Sequence, residues 1–230
     1  EPAVMNKKID AAVNNGVDVF IFDWYWFDNK PFLDKPLDDA FLKVNNGRMK
    51  FSLMWANHAL FEMFPAGSKE KAKKALSDTL TVEVFDNMTD HIINDYFKNP
   101  SYWKIDGCPY FSIFELFRLV DNLGGAEETK KALDRFREKT KAAGFPDIHL
   151  NGITLGLKVP NSEKKIKTVE ELVTYLGINS ITSYTWVHDI SMDSFPKTEY
   201  AGAVSKAIKS WSDLAAKYPI PVYPDVSMGF

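Results

Sequence analysis

The chain has 230 residues, enough for a large buried core and closer to one sizeable domain than to two small ones. Its 28 basic and 31 acidic residues leave a net charge of −3 with no basic stripe, which argues against nucleic acid as a partner. The single cysteine, Cys108, excludes an intrachain disulfide and a Cys-rich metal site, and no apolar run approaches the roughly 20 residues of a membrane span.

In chain order, Met5, Ile9, Ala12 and Val13 fall on one face at helical spacing, and Asn14-Asn15-Gly16 supplies the stop, so a helix is predicted over residues 2–15. A strand follows within Gly16 to Phe27, an apolar run that reads as buried on both faces and ends in Asp23, Trp24, Tyr25 and Trp26. After a loop with Pro31 and Pro36 comes a short helix over 37–44, then a second strand from Lys50 that finishes in Trp55, Asn57 and His58. Residues 68–97 read as helix in two pieces with a weak stretch at 79–82, and His91 reads as a solvated residue on an acid-rich face.

Residues 102–109 predict a turn at Asp106-Gly107 that leads into a third strand over 110–114, and Glu115 stands at its end. A helix over 126–143 precedes a fourth strand, 148–153, which carries Asn151. Thr168-Val169-Glu170-Glu171 is a capping box for a helix that stops at Gly177. A fifth strand over 178–184 runs into Tyr184, Trp186, His188 and Asp189, a helix is predicted over 199–217, and a sixth strand over 222–228 contains Asp225.

This α, then repeated βα order predicts an α/β fold with a parallel sheet, either open and doubly wound or a (β/α)8 barrel of TIM type. No G-x-G-x-x-G turn and no P-loop follows a strand, which favours the barrel. About six strands are legible where a closed barrel has eight, so the barrel is expected to be incomplete in this chain. Residues 1–230 are read as one barrel domain.

Parallel strands in such folds present their chemistry at their carboxyl ends. Three acids stand at or near strand ends, Asp23, Glu115 and Asp225, and glycoside hydrolysis works through a pair of carboxyl groups. The same acids could instead cap helices or pair with cations. Trp24, Tyr25, Trp26, Trp55, Tyr184 and Trp186 lie where strands give way to loops, and an aromatic face suits the flat C–H face of a pyranose. Asn57, His58, Asn151 and His188 could bind its hydroxyls. Alternation along a strand would turn half of these rings into core. The four histidines show no metal-ligand spacing, and no metal or cofactor is expected.

Four segments carry a family likeness: Gly16-Val17-Asp18 through Trp26-Phe27 with Lys35-Pro36-Leu37; Leu53-Met54-Trp55-Ala56-Asn57; Tyr102-Trp103-Lys104-Ile105-Asp106-Gly107 with Pro109; and Tyr223-Pro224-Asp225-Val226-Ser227-Met228-Gly229. Together they resemble the glycoside hydrolase family 99-like, or WbsX-type, proteins. The resemblance implies a barrel that acts on glycans, with family 99 enzymes being retaining, endo-acting α-mannosidases and mannanases. Other roles attached to the likeness are a noncatalytic sugar-binding barrel and a glycosyltransferase of polysaccharide assembly. Relatives often carry Glu where His58 stands, and Tyr where Asp23 stands. The family's catalytic run, of the form Trp-Asn-Glu-Trp-x-Glu-Gly, has no counterpart in these residues, nor has its first strand. By this resemblance the chain is expected to be trimmed at both ends, with the catalytic pair beyond residue 230 and the opening strand forming one wall of the sugar site. Degradation of glycans would suit a periplasmic or extracellular setting.

Overall fold

The computed structural model describes residues 1–62, 73–76, 80–194 and 197–228, with the backbone alone at 61, 62 and 73–76. It is mixed α/β with a mostly parallel sheet, and the chain divides into two compact units, Glu1–Phe111 with Lys131–Ile148 and Ser112–Lys130 with His149–Phe230. Six strands follow the predicted βα rhythm: β1 (Val19–Phe27), β2 (Lys50–Trp55), β3 (Cys108–Ile113), β4 (His149–Ile153), β5 (Ser180–Thr182) and β6 (Val222–Tyr223). Among the described residues no pairing closes them into a ring.

In the first unit the helix Pro2–Asn14 starts on a proline and ends where Gly16 takes φ 77°, as the sequence predicts. β1 and β2 pair in parallel from Val19↔Lys50 to Trp24↔Trp55, so partners in this register share a face. Phe22 packs on Phe41 at 5.3 Å and Phe41 on Phe51 at 5.5 Å, placing the even-numbered residues of β1 against the helical turns Pro36–Phe41. Its odd face is open: Ile21 is 48% exposed and Asp23 is also exposed, so β1 is covered on one face, not on both as its apolar run suggests.

β1 also turns back on itself. Asp28 and Asn29, at φ 51° and 59°, make the two-residue turn that twists with a hairpin, and Lys30–Phe32 pairs antiparallel with β1. The loop expected around Pro31 is therefore an edge strand, a place in a sheet where a residue without an N–H is tolerated. The helix expected across 68–97 is confined, among the described residues, to Val82–His91 and the wider π-turns Ile92–Phe97. Lys73–Leu76 is instead a strand paired antiparallel with Leu60–Glu62, which satisfies its backbone across the ladder; the other residues of 68–79 lie outside the described ones. Phe136, on the part of helix Ala126–Ala142 that belongs to this unit, stacks on Phe97 at 5.9 Å and meets Phe85 and Phe111 edge-on. Asp106 and Gly107 form the predicted turn at φ 51° and 80°, closing a hairpin of Lys104–Ile105 with β3.

In the second unit β4, β5 and β6 pair in parallel, with Asn151↔Ser180 and Val222↔Ile181 in register. Leu150 and Ile181 are fully buried apolar anchors. The helix Val169–Leu176 has the full capping box at Thr168 and Glu171 and stops at Gly177 with φ 69°, both as predicted. β5 and β6 are shorter than the sequence suggests, because the segments after them bond to each other instead of extending the ladder. Trp186 donates its backbone N–H to Ser227 Oγ and its indole N–H to the Asp225 carbonyl, both at 3.1 Å, and Pro224 has no N–H to give. A short helix, Leu116–Asn122, follows β3 where no element was predicted.

Candidate active site

The two units each present a group of the predicted residues, and each group stands by itself. In the first unit, alternation along β1 separates the aromatic run into two sets. Asp23 and Tyr25 share the open face. The Tyr25 ring stacks on Phe27 at 6.2 Å and meets the His58 ring edge-on at 6.1 Å. Partial removal from water raises the Asp23 carboxyl above the ordinary carboxylate range, and the His58 charge works in the opposite direction. Asn57 lies just beyond β2 and is 8% exposed.

Trp24, Trp26 and Trp55 belong to the other set. Trp24 is 1% exposed, stacked on Trp26 at 5.5 Å and on His91 at 6.2 Å, and its Nε1–H donates to Tyr96 Oη at 3.4 Å. Trp55 is 4% exposed and packs on Phe85. The Trp24 and Trp55 rings are thus occupied by packing against helical elements. His91 is not the solvated residue its sequence context suggests: its side chain is 28% exposed, covered by Trp24 and Trp26, and its Nδ1 lies 2.6 Å from Asp95 Oδ2.

Asp38, which nothing in the sequence singles out, accepts the Tyr96 hydroxyl at 3.1 Å. Burial raises its carboxyl, with Asp34 and Asp39 adding to the rise and Tyr96 and His91 opposing it. A raised carboxyl contributes stability below its unfolded value and loses it as pH climbs through the folded value. Asp38→Asn, which still accepts from Tyr96, is therefore expected to melt about 1–2 °C above the parent at pH 7 and to lose that advantage near pH 3. Thermal melts across that range read the difference directly, and a constant offset would refute the assignment.

In the second unit the predicted residues collect after the strand ends. Glu115 is the N-cap residue of helix Leu116–Asn122 and pairs with Arg118 one turn on. Asn151 is fully buried: its Oδ1 accepts from Ser112 Oγ at 2.7 Å, and its Nδ2 donates to Ser180 Oγ and Thr182 Oγ1, each at 2.9 Å. Its amide ties β4 to β5. Tyr184 is 41% exposed, with its ring edge-on to Phe114 at 4.9 Å. Trp186 is 3% exposed, stacked on Tyr200 and packed over Ala203 and Ala207, while His188 is exposed.

Asp225 accepts from Ser227 Oγ at 3.1 Å through Oδ2. Asp189 accepts from Thr154 Oγ1 at 3.2 Å through Oδ1. Burial raises the Asp189 carboxyl, the Ser183 and Thr154 hydroxyls lower it, and the neighbouring Asp225 charge raises it further. Two carboxyls from the segments after β5 and β6 therefore sit within electrostatic reach, of which only Asp225 stands at a predicted strand. The signal for Asp189 was its place in the polar loop after β5.

The family model described as Glycosyltransferase WbsX matches residues 1–222. A search of curated proteins gives no match. Among solved structures, the GH99 endo-alpha-mannosidase from Bacteroides thetaiotaomicron is 13% identical with a TM-score of 0.54, over 98% of this chain and 53% of that one. A glycoside hydrolase-like protein is 14% identical with a TM-score of 0.56, over 99% of this chain and 63% of its own. The mannosidase bound to BIS-TRIS-propane is 13% identical with a TM-score of 0.54, over 98% and 56%. The chain thus spans between about half and two thirds of the structures it resembles, and at these identities the likeness is one of fold.

Proposed function

The chain belongs to the family described as Glycosyltransferase WbsX, and on that premise we propose that it is a carbohydrate-active protein that hydrolyses glycosidic bonds in a glycan, α-mannosides among them. One observation carries the reading: over nearly its whole length the chain shares the fold of an endo-alpha-mannosidase, barrels of this kind present their chemistry at strand ends, and Glu115 and Asp225 follow the ends of β3 and β6. Burial raises the carboxyls of Asp23 and Asp189 above the usual carboxylate range, the direction that favours a proton donor over an ordinary surface carboxylate.

The acids at hand fall into distinct roles. We assign contact with a sugar to Asp225 and Asp23, each within its own unit, and the positioning of helix Leu116–Asn122 to Glu115, which pairs with Arg118. Tyr184 offers an exposed ring in one unit and Tyr25 a partly exposed ring in the other, with His188 and His58 as hydroxyl partners.

The family description favours a second reading, transfer from an activated sugar, although among the described residues no glycine-rich diphosphate-binding turn follows a strand. The two separate on a single assay. The full-length protein is expected to release reducing sugar from α-mannans with no nucleotide sugar present, and turnover only with a nucleotide sugar would overturn hydrolysis. Within that assay Asp23→Asn is expected to change the order of preferred glycans, since Asp23 stands on the open face of β1; an unchanged order would remove Asp23 from recognition.

A further inference from the structure

The segments after β4, β5 and β6 converge on a polar group that the protein leaves unfilled. Thr154, after β4, fixes Asp189 Oδ1. Trp186 opens the short helix Trp186–Asp189, and its two hydrogen bonds to Ser227 Oγ and the Asp225 carbonyl fasten that helix to the segment after β6. The two carboxylates are therefore held in a fixed relation. Asp189 Oδ2 and Asp225 Oδ1 are each buried with no hydrogen-bond partner among the described residues, as is Thr185 Oγ1. Ser183, 3% exposed, directs its hydroxyl toward Asp189 without completing a hydrogen bond to any described residue.

Unfilled buried acceptors are costly unless a ligand supplies donors. The two open positions here are carboxylate oxygens from neighbouring segments, and the hydroxyls beside them, Ser183 and Thr185, can donate or accept. A pair of adjacent hydroxyls on a sugar ring supplies both donors at once. The exposed Tyr184 ring, braced by Phe114, is the aromatic face in the same loop against which the ring's C–H side can lie. Two carboxylates and two hydroxyls fall short of the six to eight oxygens a calcium ion takes.

We propose that Asp189 and Asp225 form a recognition pair for a vicinal diol of the glycan, with Thr154 as the residue that positions Asp189. The proposal rests on the carbohydrate reading above. In the full-length protein, calorimetric titration with α-linked mannobiose and mannotriose is expected to show Asp189→Asn binding about 10- to 100-fold more weakly than the parent. Thr154→Val is expected to lie between them. Of the two deoxy analogues that each lack one of these hydroxyls, one should bind the parent and Asp189→Asn alike, because it lacks the hydroxyl that Asp189 accepts, while the other should keep the difference. Should Asp189→Asn fail to fold, Asp225→Asn reads the same loss. Unchanged affinity in a folded variant overturns the pair and leaves the carbohydrate reading standing. Calcium-binding heat that disappears in Asp189→Asn assigns the pair to a cation and overturns it too. No binding of either sugar by the parent removes the mannoside reading and this pair with it.

Discussion

Trp24→Ala is expected to destabilise the protein by about 3–5 kcal/mol, whereas Tyr25→Ala, one residue on, is expected to change stability by no more than about 1 kcal/mol. The contrast follows from the strand's two-residue period. Trp24 is 1% exposed and sits among Trp26, His91 and Tyr96, so removal of its indole leaves a cavity and orphans the Tyr96 contact. Tyr25 points the other way, to the open face shared with Asp23, where its ring touches Phe27 and His58. Its loss is expected to weaken glycan binding by about tenfold, the order of a lost aromatic contact. Urea denaturation of the two variants, with glycan titration of the stable one, tests both halves. If Tyr25→Ala is the more destabilised, the faces of β1 are assigned the wrong way round.

The same pair shows how far the sequence could be read. The apolar run through Val19 to Phe22 announces a strand, and its carboxyl end announces a site, since both signals are local. Which aromatic belongs to which face was not legible, because both alternating sets contain large rings and periodicity says nothing about where the helices pack. Only the contacts of Phe22 with Phe41 and of Trp55 with Phe85 decide it. Capping at Thr168 and turning at Asp106-Gly107 were legible for the same reason as the strand: a few adjacent residues determine them. Asp38 escaped notice because its partner, Tyr96, is 58 positions away. Pro31 disguised a hairpin whose turn, Asp28-Asn29, adopts positive φ without any glycine.

Asp189 escaped for a different reason. Its character comes from Thr154, Ser183 and Asp225, which reach it from the segments after three successive strands. A sequence read one loop at a time shows an acid near a histidine and an aromatic, which is common. The parallel order β4, β5, β6 makes those loops neighbours, and that adjacency belongs to the fold.

That convergence depends on one small residue, so Gly156→Ala is expected to be costly well beyond its size. A Cβ at Gly156 would lie 2.0 Å from the Phe114 carbonyl oxygen and 2.5 Å from the Glu115 Cα, and backbone cannot rotate aside as a side chain can. The turn Thr154–Gly156 can lie against the chain leaving β3 only without that atom. Overpacking of this kind costs about 1–3 kcal/mol, a drop in melting temperature of roughly 2–10 °C for a protein of this size. Gly152→Ala supplies the comparison, since its Cβ would come 3.1 Å from the end of the Leu157 side chain, which can yield. Because Thr154 holds Asp189, the displaced turn should also weaken binding of α-linked mannobiose at temperatures where Gly156→Ala is still folded. A variant that melts lower yet binds as the parent does would show that the turn supports the fold without positioning Asp189. A variant that matches the parent in both would mean that the close approach at Phe114 and Glu115 is not what seats the turn.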